Sequence, residues 1–255
     1  MTITTQSNTR ITALPIAQSG AGYFMKGFQL IRTPGIRRFV FVPLLVNLIL
    51  FCGAFYYLSG YISELIADFE SWLPESLAWL TYFAEPLLYF TAIICFSFFF
   101  STIANWLAAP FNGLLSEKIE LYLCGQSIAE GGFVDIIKDI PRTLSREWRK
   151  LVYYLPRAIG FFLILWLLPF FGQVIWFAFI AWMMAIQYCD YAFDNHKIGF
   201  IEMRQKLAEH KGKCFSFGLT VTLFSMIPIL NLVLMPVAIC GATAMWVDHF
   251  KAEYK

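Results

Sequence analysis

The densest chemistry in this sequence lies in the run Pro34-Gly35-Ile36-Arg37-Arg38. Two adjacent guanidiniums are rigid, permanently charged forks whose N–H groups match the oxygens of an oxyanion. Gly35 lets the backbone turn so that N–H groups can point at a ligand. The apolar helix that follows adds its own unpaired N–H groups and the positive end of its dipole. A dianion such as sulfate suits that arrangement. Basic residues also flank most membrane helices, where they set orientation and bind lipid phosphate. On these residues alone both readings stand.

A second group consists of polar residues in apolar surroundings, where they are costly. Ser97, Ser101 and Asn105 are four apart, and Asn112, Ser116 and Glu120 resume the spacing after a seven-residue step. Seven residues turn about 700°, so both triplets share one helix face. Such a stripe either lines a path or glues helices together. Asn47 lies in the first apolar run, Gln173 and Asn231 at the tips of two apolar hairpins, and Gln187 near a hairpin's end. Arg157 follows Pro156 inside an apolar stretch. It either faces a partner or wet cavity, or snorkels to the interface. Asp190, Asp194, Asn195 and His196 cluster after the first hairpin. They read as a cap for the amphipathic stretch bearing Phe200, Met203 and Leu207, with a metal site as the rival reading.

The elements that must position these residues are membrane helices. The chain has 255 residues, 59% hydrophobic and 14% charged, against about 25% charged in soluble domains. Mean hydropathy is +0.63. A net charge of +2 leaves no electrostatic footprint for nucleic acid. Between Ser59 and Tyr82 stand Glu64, Asp68, Glu70 and Glu75, with no Lys or Arg; all 19 basic residues lie elsewhere. Basic residues stay on the cytoplasmic side, so that gap reads as a short external loop between two spanning helices, about 39–58 and 86–109. Glu85 sits at the external membrane edge.

The second spanning helix runs on past the membrane, with a kink expected at Pro110 or Gly113. Its extension carries Glu117, Lys118 and Glu120 beside an apolar face. Residues 125–132 read as a loop. The stretch 133–148 is amphipathic, with Phe133, Ile136, Ile137, Ile140, Leu144 and Trp148 on one face and a charged, solvated or interfacial face opposite. Two later apolar stretches, about 151–189 and 214–247, are each broken by a proline followed three residues on by Gly or Asn, and read as hairpins that penetrate only partly. Paired interrupted segments are a sequence pointer to a transport site. Residues 190–213 carry Lys197, Arg204, Lys206, Lys211 and Lys213 and are placed in the cytoplasm. Gly20–Arg32 reads as a short amphipathic segment, 1–19 as a flexible tail, and 251–255 as a short C-terminal tail. The whole is thus an all-α integral membrane protein with a single helical transport domain over 20–250, including a cytoplasmic helical segment about 110–150. No cleavable leader is visible. The six cysteines form no C-x-x-C pair and read as small buried residues.

At these residues the chain resembles the CysZ-type sulfate permeases of bacterial inner membranes. The stretches that carry the resemblance are Pro34-Gly35-Ile36-Arg37-Arg38-Phe39, Phe100-Ser101-Thr102-Ile103-Ala104-Asn105-Trp106, Ala109-Pro110-Phe111-Asn112-Gly113-Leu114-Leu115, Tyr154-Leu155-Pro156-Arg157-Ala158-Ile159, Ala185-Ile186-Gln187-Tyr188-Cys189-Asp190 and Cys240-Gly241-Ala242-Thr243-Ala244-Met245-Trp246-Val247-Asp248. They are collinear and run from about Gly22 to Asp248. The resemblance implies sulfate uptake for cysteine biosynthesis, a homo-oligomer, two long spanning helices and two partly inserted hairpins. It makes Gly35, Ile36, Arg37 and Arg38 the sulfate site. Asn47, Asn105, Asn112, Glu117, Glu120, Arg157 and Asn231 become pore candidates. Sulfite and related oxyanions are further candidate ligands.

No G-x-x-x-x-G-K-[ST] loop is present, so ATP does not drive transport on this chain. Flux is either passive, pulled by consumption of sulfate, or proton-coupled through Glu117 or Glu120. No H-E-x-x-H or G-x-S-x-G motif supports an enzyme, and neither a catalytic residue, a cofactor nor a metal is expected. The alternative function is an auxiliary membrane scaffold or regulator of sulfur assimilation.

Overall fold

A computed structural model describes residues 15–74, 79–125 and 133–254. The side chains of Asn47, Asn105 and residues 133–140 lie outside that description, as does Glu75. The described chain is helical throughout its regular structure: α1 (Gly20–Ile31), α2 (Arg37–Trp72), α3 (Thr81–Cys124), α4 (Phe133–Leu167), α5 (Pro169–Asn195), α6 (Phe200–Glu209), α7 (Lys211–Ser225) and α8 (Pro228–His249), closed by a 3₁₀ turn at Lys251–Tyr254. Contacts divide it into two units, one comprising Met1–Val40 with Pro110–Lys255, the other Phe41–Ala109.

In the Phe41–Ala109 unit, rings of Phe51, Phe55, Phe96 and Phe100 meet at centroid distances of 5.1–6.2 Å. The Ser63 and Tyr89 hydroxyls share a 2.8 Å hydrogen bond. Most other large side chains face outward, among them Phe90, Phe98 and Leu87. An apolar exterior is what lipid, not water, demands. The helix α2 also continues fourteen residues beyond the expected end at 58 and carries Glu64, Asp68 and Glu70. The expected external loop is therefore confined to residues between Trp72 and Thr81. Absence of basic residues, from which an external side is expected, carries no information about where the helix stops.

The other unit holds the core. Here α1 is no surface element: Tyr23, Phe24 and Leu30 are fully buried, and the helix packs on α7 and α8. A Cβ on Gly27 would overlap the Val237 carbonyl oxygen, and one on Gly218 the Ala181 carbonyl oxygen. Glycine thus permits backbone contact between α1 and α8, and between α7 and α5. Ser19 caps α1, its hydroxyl accepting from the Gly22 N–H at 3.2 Å.

Both hairpins exist, with sharper turns than expected. Only Leu168 separates α4 from α5, because Pro169 occupies the first position of the new helix, where its missing N–H costs nothing. Gln173 is therefore in α5, not at a tip. Met226 and Ile227 separate α7 from α8, and Pro228 starts α8 in the same way, which places Asn231 in its first turn. Moreover, α4 runs unbroken from Phe133 through Pro141 and Pro156 to Leu167. The amphipathic helix and the first hairpin arm are one rod, not two elements joined near 150.

Among the described residues four helical stretches are long and apolar enough to cross a membrane: Leu48–Trp72, Thr81–Phe100, Pro141–Leu167 and Pro169–Asn195. The two arms of the first hairpin are 27 residues each, or about 40 Å of helix. The 15 residues of α7 give about 22 Å, short of a ~30 Å core.

Candidate anion site and the buried ion pairs

The Pro34–Arg38 run is the turn between α1 and α2. Gly35 has φ +92°, a conformation disfavoured for any residue with a Cβ. The Thr33 carbonyl accepts from the Ile36 N–H at 3.1 Å and from the Arg37 N–H at 3.3 Å. Those two amides are thus committed within the turn, contrary to the expectation of unshared N–H groups there. Ile36 is 4% exposed and Val40 6%, both in the core cluster, while Arg37 and Arg38 are exposed. Ile36 anchors the turn in the core cluster, and the two arginines beside it are exposed.

The pore candidates separate on inspection. Asn112 is buried and donates to the Tyr191 hydroxyl at 3.3 Å and toward the Met235 sulfur at 3.7 Å. Ser116, one turn on, bonds Thr243 at 2.8 Å. Glu120 completes that face, fully buried, 2.9 Å from the Lys251 Nζ and 3.0 Å from the His196 Nε2. The Asn112–Glu120 part of the polar stripe therefore stitches α3 to α5, α8 and the C-terminal turn. Glu117 is half-buried, and Asn231 is exposed at the start of α8. Arg157 is exposed; its guanidinium lies 3.7 Å from the Tyr153 ring centroid and donates to the Tyr153 carbonyl at 2.9 Å.

Burial pushes the Glu120 carboxyl up, but hydrogen bonds from His196 and Lys251 outweigh it and hold the group below its ordinary 4.5. A depressed carboxyl contributes stability above its unfolded pKa and loses it as pH falls through the folded one. Glu120→Gln should therefore flatten the fall in thermal stability below about pH 4.5, the carboxyl's ordinary value. Unfolding midpoints of the detergent-solubilised protein across that range check this, and parallel curves for the two proteins would refute it.

The expected cap after α5 is elsewhere. Asp190 and Asp194 lie inside α5, and Gly199 precedes α6. The two aspartates, four residues apart, face Arg142, Arg146 and Lys150, also four apart, on antiparallel α4. Arg142 pairs with Asp194. Arg146 Nε and Nη2 donate to one Asp190 oxygen at 2.9 and 2.7 Å, and its Nη1 lies 3.0 Å from Asp194. Lys150 lies 3.3 Å from the other Asp190 oxygen. Asp190 is 2% exposed and Lys150 5%, so of the face read as solvated or interfacial Arg146 turns inward into this ladder, while Arg149 is exposed. Among the described residues no group of acids, His and Cys could hold a metal. A third buried pair joins α1 to α8: Lys26 lies 3.2 Å from Asp248, to which the Tyr23 hydroxyl donates at 3.0 Å.

Sequence reasoning passed over Lys26, Lys150, Asp248 and Lys251. Two signals were present. Lys26 lies on the apolar face of α1, between Tyr23 and Leu30. The basic residues 142, 146 and 150 share the period of the acidic 190 and 194.

Long apolar helices, a hairpin pair and ionised groups gathered in a protein core define a multi-pass helical membrane protein with an exposed arginine turn. The chain belongs to the family described as Sulfate transporter CysZ/Etoposide-induced protein 2.4, whose model matches residues 23–236. A Vibrio parahaemolyticus protein called Sulfate transporter CysZ is 57% identical over 240 residues, 92% of this chain and 97% of its own. Namesakes in Vibrio cholerae and Salmonella typhimurium are 54% and 50% identical, covering 93% and 94% of this chain and 96% of their own.

Proposed function

We propose that this chain carries sulfate across the bacterial inner membrane as a channel or permease, supplying assimilation and cysteine biosynthesis. One observation carries the reading: the Gly35 turn, fixed by buried Ile36, exposes Arg37 and Arg38 as a pair, in a chain whose relatives bear the name sulfate transporter. The guanidiniums take the dianion by charge-assisted hydrogen bonds. The Ile36 and Arg37 amides are occupied by Thr33, so the side chains contribute most of the hold.

Passive flux fits better than proton coupling through Glu120. Glu120 is tied to Lys251 and His196 and held ionised, which suits a structural anion and not a proton carrier at neutral pH. The exposed apolar surface of the Phe41–Ala109 unit is for lipid and for a second copy in a homo-oligomer. No catalytic role is assigned.

Radiolabelled sulfate uptake into liposomes containing only this protein tests the reading. Uptake above empty vesicles, unchanged by an imposed pH gradient, is the expected result. Impermeable vesicles would leave the auxiliary role, and a gradient-dependent rate would restore coupling.

A further inference from the structure

The carboxyl end of α8 meets α1 and the start of α7 at His249, outside the four helical stretches long enough to cross a membrane. Its imidazole Nε2 lies 3.0 Å from the Tyr23 hydroxyl and 3.1 Å from the Lys213 Nζ. The His210 ring stacks on it, with centroids 5.8 Å apart. Asp248 accepts from the Tyr23 hydroxyl at 3.0 Å and pairs with Lys26 at 3.2 Å. The groups facing His249 are thus Tyr23 from α1, with Lys26 behind Asp248, and His210 and Lys213 from the α6–α7 junction. His249 and Lys213 are both half-buried.

One nitrogen cannot serve both neighbours in a single protonation state. The Lys213 ammonium only donates, so its contact needs a bare lone pair on Nε2. Burial and Asp248 raise the Tyr23 hydroxyl above its ordinary 10.0, so it keeps its one proton and directs it to Asp248. Its oxygen then meets Nε2 as an acceptor, which needs a proton on that nitrogen. A neutral ring carrying its hydrogen on Nδ1 therefore satisfies Lys213. An imidazolium satisfies Tyr23 and repels Lys213. Burial, then the Lys213 charge, lowers the His249 pKa from its ordinary 6.5, with His210 adding to this and Asp248 opposing it.

We propose that His249 is a pH-operated latch between α7 and α8. Neutral, its Nε2 accepts from Lys213 and ties the start of α7 to the end of α8. Protonated, it donates to Tyr23, expels the Lys213 ammonium toward water and unties the two helices there. The latch is independent of the Arg37–Arg38 turn and of sulfate.

Nuclear magnetic resonance of the detergent-solubilised full chain, with isotope-labelled histidine, tests this; His249→Gln identifies the His249 signals by their loss. At about pH 8, above the ordinary histidine range, the ring should carry its hydrogen on Nδ1. On acidification it should take a second proton only below pH 6.5. Lys213→Met removes the like charge and should move that titration to higher pH. Unfolding midpoints give a second readout. A histidine with a lowered folded-state pKa loses stability as pH falls through its unfolded value and stops losing it below the folded one. The wild-type midpoint should therefore drop as pH falls below 6.5, above the range of the Glu120 effect. The glutamine of His249→Gln can accept from Lys213 and donate to Tyr23 without titrating, so that drop should shrink. A neutral ring protonated on Nε2, a titration indifferent to Lys213→Met, or a drop undiminished in His249→Gln overturns the inference.

Discussion

Asp190→Ala should be among the most destabilising single substitutions in this protein. The aspartate is 2% exposed and holds Arg146 by two hydrogen bonds and Lys150 by an ion pair. Removing it leaves an ammonium and a guanidinium buried with reduced compensation. Breaking such a group costs about 3–5 kcal/mol, chiefly through the charge left behind. Arg146 keeps Asp194 and Ile198, and Lys150 keeps Glu147, so the expected loss is near 3 kcal/mol. Asp190→Asn should lose less, because the amide oxygen still accepts from Arg146. Asp190→Leu with Lys150→Met should recover much of the loss, since apolar residues of similar volume often replace buried ion pairs without penalty. Thermal and denaturant unfolding of the solubilised variants measures all three. An Asp190→Ala protein as stable as wild type would mean that water reaches these charges and that the ladder is not internal.

The same ladder shows what could be read from the residues. The runs near 39–58 and 86–109 and both hairpins were visible because a bilayer demands continuous apolar length and proline marks where a new helix starts. Helix ends were not visible. The helix α2 passes through Glu64, Asp68 and Glu70 to Trp72 because isolated carboxylates do not break a helix. The helix α4 passes Pro156 because a membrane helix can absorb one proline. Long-range pairing was the harder part. Lys26 and Asp248 are 222 residues apart, and nothing in local periodicity joins them. At the proposed anion site the turn, the glycine and the exposed arginines were legible, while the capture of the Ile36 and Arg37 amides by Thr33 depended on the shape of the turn.

That capture sharpens the second large effect, the loss of sulfate binding in Arg37→Ala/Arg38→Ala. With two local amides committed, little remains to hold a dianion once the guanidiniums are gone. Hydrogen bonds to charged groups contribute about 1.5–3 kcal/mol each, so losing both forks should weaken binding on the order of 100-fold or more. Stability should hardly change, since both side chains are exposed and exposed substitutions usually cost under about 0.5 kcal/mol. Arg37→Lys/Arg38→Lys separates charge from shape. Ammonium groups retain the attraction but not the fork, so intermediate affinity is expected. Gly35→Ala approaches the site from the backbone: open space surrounds the position, but φ +92° strains a residue with a Cβ, and the arginines should be re-aimed without losing charge. Sulfate titration in nanodiscs, with vesicle flux alongside, reads the whole series. Sulfate affinity indifferent to the double alanine change, together with altered insertion or weakened binding of anionic lipid, would return these arginines to the role of a topology signal. Graded loss from lysine to alanine, with insertion intact, would tie flux to the paired guanidiniums, because lipid phosphate tolerates an ammonium far better than a site shaped for a fork does.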